Sequence, residues 1–349
     1  MRNIAKQAGV SIASVSRVLN NHPSVSDRLR DRVLASAQQV QHAPEAGRRE
    51  ASNIAYLYTG VSSVGSPFDS AVVEGLYEAM ACSDHYLMVL DLRRTRRNGE
   101  SYAQMFQRLG VCGAVLRTTR DSRPICEAII EQGFPAVVVG DRVSDTPGRS
   151  VYCESRTASR DAVEHLVSLG HRRIAISLNT VDDSDHRDRL AGYRLALEEQ
   201  GIAFDEKLVI RAPGDRQGGY QLIRRVFSAP DRPTAIYITD PMTAVGAICE
   251  AQEMGLGIPG DISIVGFDDA RLRHTVRPRM TAVCQDALGL GREAYRVLSG
   301  LLKHKQVRES SPPFAWLEVH GSTGPLWEDP NSSAAQKCGS DAVAQTPIV

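Results

Sequence analysis

Short aliphatic runs alternate with helical segments along most of the chain. Eight of these runs are typical of buried strands: 53–60, 86–92, 113–119, 135–141, 172–178, 207–212, 234–239 and 262–267. Between them, segments such as 68–81 and 124–133 repeat apolar residues at helical spacing. Strands that alternate with helices predict parallel sheets covered by helices on both faces. The rhythm restarts near residue 172, so the pattern predicts two doubly wound lobes.

The first 45 residues have a different, purely helical pattern. In the segment 12–22, Val15, Val18 and Leu19 form an apolar stripe. The opposite side carries small, polar and basic residues, namely Ala13, Ser16, Arg17 and Asn20. Ser11 stands where an N-cap belongs.

Two short helices that meet at Gly9, followed by a third helix that Ser26 can cap, predict a helix-turn-helix. Its second helix is thin enough on the outer side to enter a DNA major groove, which is roughly 12 Å wide. A solvated amphipathic helix pair is the alternative that this pattern alone leaves open.

Length and charge agree with a multidomain chain. The 349 residues leave room for two or three domains of about 100–200 residues each. Basic and acidic residues balance at 41 each. Residues 1–50, however, carry eight lysines and arginines against four acidic residues, so the predicted helix-turn-helix is locally basic.

The cysteine pattern and the absence of long apolar stretches point to the cytoplasm. Seven cysteines are scattered singly, without a CxxC pair, which argues against a disulfide framework or a zinc site. No apolar stretch approaches the roughly 20 residues of a membrane span. The N-terminus does not resemble a signal peptide. We therefore expect a cytoplasmic protein.

The N-terminal segments IAKQAGVSIASVSRVLN and VSDRLRDRVLASA resemble the DNA-binding headpiece of the lactose-repressor (LacI/GalR) family of transcriptional regulators. The resemblance implies that Ile12, Ala13 and Arg17 read bases. It also implies phosphate contacts from a polar set: Ser11, Ser14, Asn20 and Ser26. Arg17 suits a bidentate contact to guanine, whereas Ile12 and Ala13 can offer apolar contact, for instance to a thymine methyl group.

The rest of the chain resembles the periplasmic-binding-protein fold that forms the core of this family. Four segments carry the resemblance: 163–176, 189–202, 262–269 and 316–325. It covers about residues 2–326 together with the headpiece. The implied fold class is an all-α helix-turn-helix headpiece plus an α/β periplasmic-binding-protein-like core of two doubly wound parallel-sheet lobes.

This resemblance divides the chain into four parts. Residues 1–45 are the DNA-binding headpiece, 46–53 a shortened hinge linker, 54–326 a two-lobed effector-binding and dimerisation domain, and 327–349 a polar tail. The chain is expected to cross between the lobes three times, near 151–155, 281–286 and 311–315.

The linker departs from the family pattern. Relatives carry a tyrosine–arginine–proline–asparagine turn and then a hinge helix whose leucine wedges into the minor groove. Here only Pro44 of the turn remains, Glu45 replaces the asparagine, and residues 41–53 contain no large apolar residue. A wedge needs such a side chain, so we expect no hinge kink. Arg48 and Arg49 are candidate contacts to phosphates or a narrow minor groove, and a solvated flexible linker is the alternative.

Polar residues stand at the predicted strand ends, where the lobes of such a fold bind ligands. They are Asp141, Arg189, Asp240 and Asp268. Carboxylates accept and a guanidinium donates hydrogen bonds, which suits a small polyhydroxylated ligand. The resemblance implies effector contacts from Asp141, Arg189 and Asp268, and from the region of Ser66 and Phe68. An interlobe or capping pair of Asp268 and Arg189 without a ligand is the alternative.

Thr239 stands where relatives carry an asparagine that binds many sugars, so this chain lacks that amide. The segment 182–189 offers several carboxylates and His186, but no second histidine at a useful spacing, and it is predicted to be a solvated loop. There is no P-loop, no GxSxG and no GxGxxG after a strand. We therefore expect neither catalysis nor a metal or cofactor.

The sequence thus predicts a dimeric regulator, a repressor, that binds a near-palindromic operator with half-sites about one helical turn apart. One headpiece alone reads too few base pairs, and the tail lacks the leucine heptads of a tetramerisation bundle. A sugar-like effector between the lobes is expected to change operator affinity. Two alternatives are a constitutive DNA-binding regulator with a degenerate cleft and a solute-binding protein that serves a transporter, although residues 1–45 oppose the latter.

Overall fold

The computed structural model describes residues 2–19, 25–41, 52–60, 64–142, 148–181, 183–304 and 315–326. The chain divides into two compact units at residues 50 and 51. The α-helices are α1 Arg2–Ala8, α2 Ile12–Leu19, α3 Asp27–Gln41, α4 Pro67–Met80, α5 Leu92–Thr95, α6 Tyr102–Leu109, α7 Arg123–Glu131, α8 Arg156–Ser168, α9 Ser184–Glu199, α10 Arg216–Ser228, α11 Pro241–Glu253 and α12 Ala287–Leu302. The strands are β1 Asn53–Tyr58, β2 Tyr86–Asp91, β3 Val111–Arg117, β4 Ala136–Val139, β5 Ser150–Val151, β6 Ile174–Asn179, β7 Val209–Ala212, β8 Ala235–Ile238, β9 Ser263–Asp268, β10 Thr281–Cys284 and β11 Trp316–Glu318.

The first unit is a three-helix helix-turn-helix. Gly9, between α1 and α2, has φ +63°, a left-handed conformation that glycine adopts without strain. Ser11 caps α2, since its Oγ accepts a hydrogen bond of 3.0 Å from the amide of Ser14. A small apolar core holds the three helices together: Ala5, Ala8, Val15, Val18 and Val33.

The first lobe of the second unit contains a five-stranded sheet in the order β2-β1-β3-β4-β5. All its strand pairs are parallel. Five of the six residues of β1 are buried, as expected where helices cover both faces of a parallel sheet. Helix α12 belongs to this lobe although it comes late in the chain, because Leu290, Ala294 and Leu298 pack in the same core as β1 and α4.

The second lobe contains a six-stranded sheet in the order β11-β10-β9-β8-β6-β7. Its strands are parallel except β11, which pairs antiparallel with β10. Strands β5, β10 and β11 are not among the eight apolar runs. Strands β5 and β11 have only two and three residues, too few for a periodic signal, whereas β10 has four residues, as do the predicted β4, β7 and β8, and is a missed strand. Two doubly wound lobes and a helical headpiece confirm the predicted fold class.

The chain passes between the lobes at three places. It leaves the first lobe after Val151 and enters the second with α8, and it returns between Cys284 and Ala287. The third passage lies between α12 and β11, and residues 305–314 of it are outside the described residues. None of the helices described is long and apolar enough to span a bilayer.

Candidate functional site

The outer side of α2 presents the residues predicted to read bases. Ile12 is 46% exposed, and Ala13 and Arg17 are also exposed, whereas Val15 and Val18 point into the core of the unit. The apolar stripe therefore anchors the helix to α1 and α3. The opposite side is left as a narrow surface with one guanidinium group.

The predicted phosphate contacts lie at the ends of the helices. The Oγ atoms of Ser11 and Ser14 are 2.9 Å apart at the N-terminus of α2. Ser26 is exposed directly before α3, and its carbonyl oxygen accepts the amides of Leu29 and Arg30. Three of the predicted DNA-binding residues lie outside the described residues, namely Asn20, Arg48 and Arg49. So do residues 46–51 of the linker and the whole tail, 327–349.

A cavity of about 280 Å³ lies in the second unit, between residues of the two lobes. It is lined by residues that follow the carboxyl ends of strands in both sheets, the position where doubly wound folds bind ligands. Nine charged or titratable side chains line it: Asp69, Arg117, Asp183, Asp185, His186, Arg189, Asp215, Asp240 and Asp269.

Three of the lining aspartates cap helices that start at the cavity. Asp183 accepts the amide of His186 and caps α9, Asp215 accepts the amide of Gly218 and caps α10, and Asp240 caps α11. Burial alone raises the pKa of Asp183, but the His186 ring at 2.7 Å and the Arg117 guanidinium outweigh it, and the net direction is downward. These carboxylates also face the positive ends of helix dipoles.

The first lobe contributes a compact polar cluster. Asp69 accepts hydrogen bonds of 2.6 Å from Tyr56 Oη, 2.6 Å from Ser66 Oγ and 3.1 Å from Arg117 Nε. The Arg117 guanidinium lies over the ring of Phe68, 4.7 Å from its centroid. Asp69 and Arg117 thus neutralise each other on this wall of the cavity.

Arg189 is the central cation of the second lobe. Its Nη1 donates to the carbonyl oxygen of Thr239 over 2.7 Å, and its Nη2 lies 3.6 Å from Asp185 Oδ2. The guanidinium also stacks on Phe267, 3.6 Å from the ring centroid. Thr239 supplies no side chain to the cavity, because its hydroxyl donates to the carbonyl oxygen of Ser177 in the neighbouring strand.

Two acidic side chains beside Arg189 are poorly compensated. Burial raises the pKa of Asp185 in spite of the attraction of Arg189. Removal of the Asp269 carboxyl from water raises its pKa to about 7, although Arg189 and a hydrogen bond from the amide of Gln285 both act to lower it.

Four buried polar atoms of lining residues have no hydrogen-bond partner among the described residues. They are Asp185 Oδ1, His186 Nε2, Arg189 Nε and Gln285 Oε1. Buried polar groups in folded proteins are nearly always paired with protein, water or ligand. Two acceptors, one donor and one imidazole nitrogen in the lining of this cavity are therefore available to bind water or a ligand.

Four of the six predicted effector residues line this cavity, namely Arg189, Asp240, Ser66 and Phe68. Asp141 does not line it. The Asp141 carboxylate accepts a hydrogen bond of 2.9 Å from Arg123 Nη2 and one from Ser184 Oγ, so it joins the first lobe to α9 of the second lobe.

Asp268 does not line the cavity either. Its carboxylate accepts the amides of Ala270, Leu272 and Arg273 and pairs with the Arg273 guanidinium at 2.7 Å. It faces a second cavity of about 800 Å³ beside α4 and α12. The next residue, Asp269, follows the end of β9 and lines both this second cavity and the interlobe cavity, as does Gln285.

The prediction of a solvated loop over 182–189 is wrong. Helix α9 begins at Ser184, and Asp185, His186 and Arg189 are buried against the cavity. Asp183 ahead of the helix is an N-cap signal, and the spacing of Asp185 and Arg189 is that of a helical ion pair. Among the residues with described positions, no three histidine, cysteine, aspartate or glutamate side chains form a group able to hold a metal ion.

Two families match the chain. Residues 1–45 match bacterial regulatory proteins of the lacI family, and residues 163–322 match the periplasmic binding protein-like domain. The sequence is 28% identical over 313 residues to catabolite control protein A of Priestia megaterium, covering 88% of this chain and 94% of that protein. It is 29% identical over 335 residues to the transcriptional repressor CytR of Escherichia coli K12, covering 93% and 96%.

Solved structures share the fold. A transcriptional regulator, CelR, in complex with cellobiose superposes with a TM-score of 0.64 at 26% identity, covering 92% of this chain and 98% of that chain. A LacI-family regulator from Enterococcus faecium with bound ribose has a TM-score of 0.66 at 24% identity, covering 79% and 100%.

Proposed function

Because the chain belongs to the lacI family of bacterial regulatory proteins and is a sequence-specific DNA-binding regulator, we propose that it is a dimeric, effector-controlled repressor acting in the cytoplasm. Two headpieces bind a near-palindromic operator with half-sites about one helical turn apart. A small hydroxylated molecule in the interlobe cavity changes operator affinity. The cavity serves binding and not catalysis.

The exposed side of α2 is the observation that carries this proposal. Ile12, Ala13 and Arg17 project away from a core that contains Val15 and Val18. Small side chains on that side allow the helix to approach the base edges, and one arginine can then reach guanine O6 and N7. Ser11, Ser14 and Ser26 are our candidates for phosphate contacts, which fix the helix on the duplex.

A homodimer is supported by an apolar edge of the first lobe. Strand β2 is the outer strand of its sheet, and Tyr86 and Val89 on it are 69% and 43% exposed. Tyr77 on α4 of the same lobe is 73% exposed. Exposed apolar edge strands invite pairing with another chain, and monomeric proteins normally protect them. We assign this edge to contact with a second copy.

The unpartnered atoms around Arg189 support an effector and disfavour a degenerate cleft. A cavity that had lost its ligand has no reason to keep two buried acceptors and a guanidinium Nε unsatisfied, since each costs about 1–3 kcal/mol. The related regulator CelR has been solved with cellobiose, which agrees with a hydroxylated ligand. The match of residues 1–45 to the lacI family disfavours a solute-binding protein.

Operator release tests the effector. The full chain is titrated onto a fluorescent operator duplex with and without cellobiose, ribose and a panel of hexoses, amino sugars and nucleosides. We expect at least one compound to change operator affinity by about 5–150-fold, the usual range of allosteric coupling. Arg189→Met removes this response and keeps operator binding, whereas Arg194→Met, an exposed residue on the same helix, keeps both. A compound that binds the cavity tightly and leaves operator affinity unchanged contradicts the proposal.

A further inference from the structure

Around Arg189, the acidic side chains of the interlobe cavity outnumber the basic ones. Asp185 and Asp269 both interact with Arg189. The other lining guanidinium, Arg117, also attracts Asp185, but its hydrogen bond of 3.1 Å is to Asp69. Asp185 Oδ2 lies 3.6 Å from Arg189 Nη2, while its Oδ1 has no partner among the described residues. Asp269 accepts a hydrogen bond from the amide of Gln285, which carries no charge. Two carboxyl groups thus depend mainly on one cation, Arg189.

The other acidic side chains of the cavity are compensated. Asp69 pairs with Arg117 at 3.1 Å. Asp183, Asp215 and Asp240 accept amide hydrogen bonds at the N-termini of α9, α10 and α11. These helix ends carry partial positive charge that favours a carboxylate. The deficit of positive charge is therefore confined to the surroundings of Arg189.

Unsatisfied hydrogen-bond acceptors lie at the same place. Asp185 Oδ1 and Gln285 Oε1 are buried and accept no hydrogen bond from any described residue. An ammonium group has three donors and no acceptor, so it satisfies such acceptors and supplies the missing charge together. A phosphate or carboxylate would bring further acceptors and further negative charge, and this site already has both.

We infer that the effector is a hydroxylated molecule that carries an ammonium group, bound by Asp185, Asp269 and Gln285, and that phosphorylated compounds are excluded. The inference deepens the proposed function and rests on it. Hydroxyl groups of the ligand meet Arg189 Nε and His186 Nε2. The volume of about 280 Å³ is just below the roughly 300–1,000 Å³ that is typical of ligand pockets, which suits a ligand of about the size of a single amino sugar.

An organic cation fits better than a metal ion. Within the described ranges, no three carboxylate, imidazole or thiolate groups are grouped closely enough to hold one. The acidic groups surround a guanidinium instead of converging on a point. An ammonium group at the end of a polar molecule needs only two or three acceptors on one side.

Matched probes that differ in charge test the inference. Tris and pentaerythritol have the same branched skeleton, but only Tris carries an ammonium group at pH 7. Glucosamine, glucose and glucose 6-phosphate form a second series. Binding to the full chain is measured by calorimetry and by thermal shift in an amine-free, phosphate-free buffer. We expect each amine to bind about tenfold or more tightly than its neutral partner, and glucose 6-phosphate not to bind.

Two variants assign the effect to the site. Asp269→Asn reduces the preference for the amine to less than about threefold, because one of the two carboxylates is lost, whereas Asp84→Asn, at an exposed position, leaves it unchanged. Equal binding of amine and neutral probes overturns the inference, as does binding of neither amine, or a preference that survives Asp269→Asn. If a neutral sugar binds the chain and causes release of the operator, the ammonium group on the effector is refuted. The proposed function as an effector-controlled repressor then still stands.

Discussion

Ala13 and Arg17 have complementary parts in the proposed DNA-binding surface. Both residues are exposed, and in the proposed complex the small Ala13 would permit close approach of α2 to the groove, where Arg17 would supply the hydrogen bonds. Neither residue belongs to the apolar core of the headpiece, which contains Val15 and Val18 on the other side of the helix. Substitutions on the two sides should therefore have different effects, on specificity and on folding.

Arg17→Ala is predicted to weaken operator binding by about 1–3 kcal/mol and to relax the preference at one base pair of each half-site, because a bidentate contact to guanine is lost. Titration of operator duplexes with each base at that position measures both effects. Arg32→Ala, an exposed arginine of α3, serves as the control and should leave base preference unchanged. An equal loss of affinity on operator and random duplex would show that Arg17 contacts only phosphate.

Asp269 makes stability depend on pH. Its pKa in the folded chain is about 7, against an ordinary value of 3.8. Between those values the folded state keeps a proton that the unfolded state has released, so this group contributes stability at low pH that is lost as the pH rises towards 7. Asp269→Asn removes this loss, since the amide cannot ionise.

The melting temperature of the Asp269→Asn variant, relative to the unmodified chain, should therefore increase between pH 5 and pH 8. Thermal unfolding of both proteins across this range, without ligand, measures the difference. Asp84→Asn, at an exposed position, is the matched control, and its difference should not vary with pH. A difference for Asp269→Asn that is the same at every pH would mean that this carboxyl is already ionised at pH 5.

At the scale of helices and strands, elements within a continuous apolar run were predictable, even four-residue strands such as β4 and β8, whereas the two- and three-residue strands were not. The buried strands β1, β3 and β9 coincide with apolar runs because both of their faces are covered. The two residues of β5 and the three of β11 are held by neighbouring strands, and their own sequence has no period to detect. A one-residue difference at the end of β9 likewise decides that Asp269, and not Asp268, lines the cavity.

The sequence pattern also could not predict which helices are in close contact. Gly75 on α4 and Gly291 on α12 lie where the two helices meet, and a Cβ at either position would overlap a backbone carbonyl oxygen of the other helix. The helices are far apart in sequence, so helical periodicity alone does not reveal their pairing. Only the fold, in which α12 returns to the first lobe, brings these glycines together.

The β2 edge is predicted to hold the dimer together. Val89→Asp places a charge on its exposed apolar surface and should raise the dimer dissociation constant by about tenfold or more, because an unpaired carboxylate must lose water on association. Sedimentation equilibrium measures the change. Leu195→Asp, at an exposed leucine of α9, is the control and should remain dimeric. If Val89→Asp dimerises as tightly as the unmodified chain, the second copy binds elsewhere.

Over the second unit as a whole, α9 links the cavity to the contact between lobes. Asp185 and Arg189 line the cavity, while Ser184 and Asp188 on the same helix bond to Asp141 and Arg142 of the first lobe. A ligand that moves Arg189 therefore acts on the residues that hold the lobes together. The sequence predicted the two lobes and Arg189 as an effector-binding residue. It did not predict these contacts between lobes, because they join residues more than 40 positions apart, and spacing along the chain does not show such pairs.

Selection of binding sites from a random duplex library by the full chain tests the central claim most directly. A dimer that reads bases with the Ile12, Ala13 and Arg17 side of α2 should enrich a near-palindrome with half-sites about one helical turn apart. The Arg17→Ala variant should enrich the same motif with one guanine position in each half-site made degenerate. Recovery of no motif, or of an identical motif with the variant, would contradict the assignment of α2 as the element that recognises the operator.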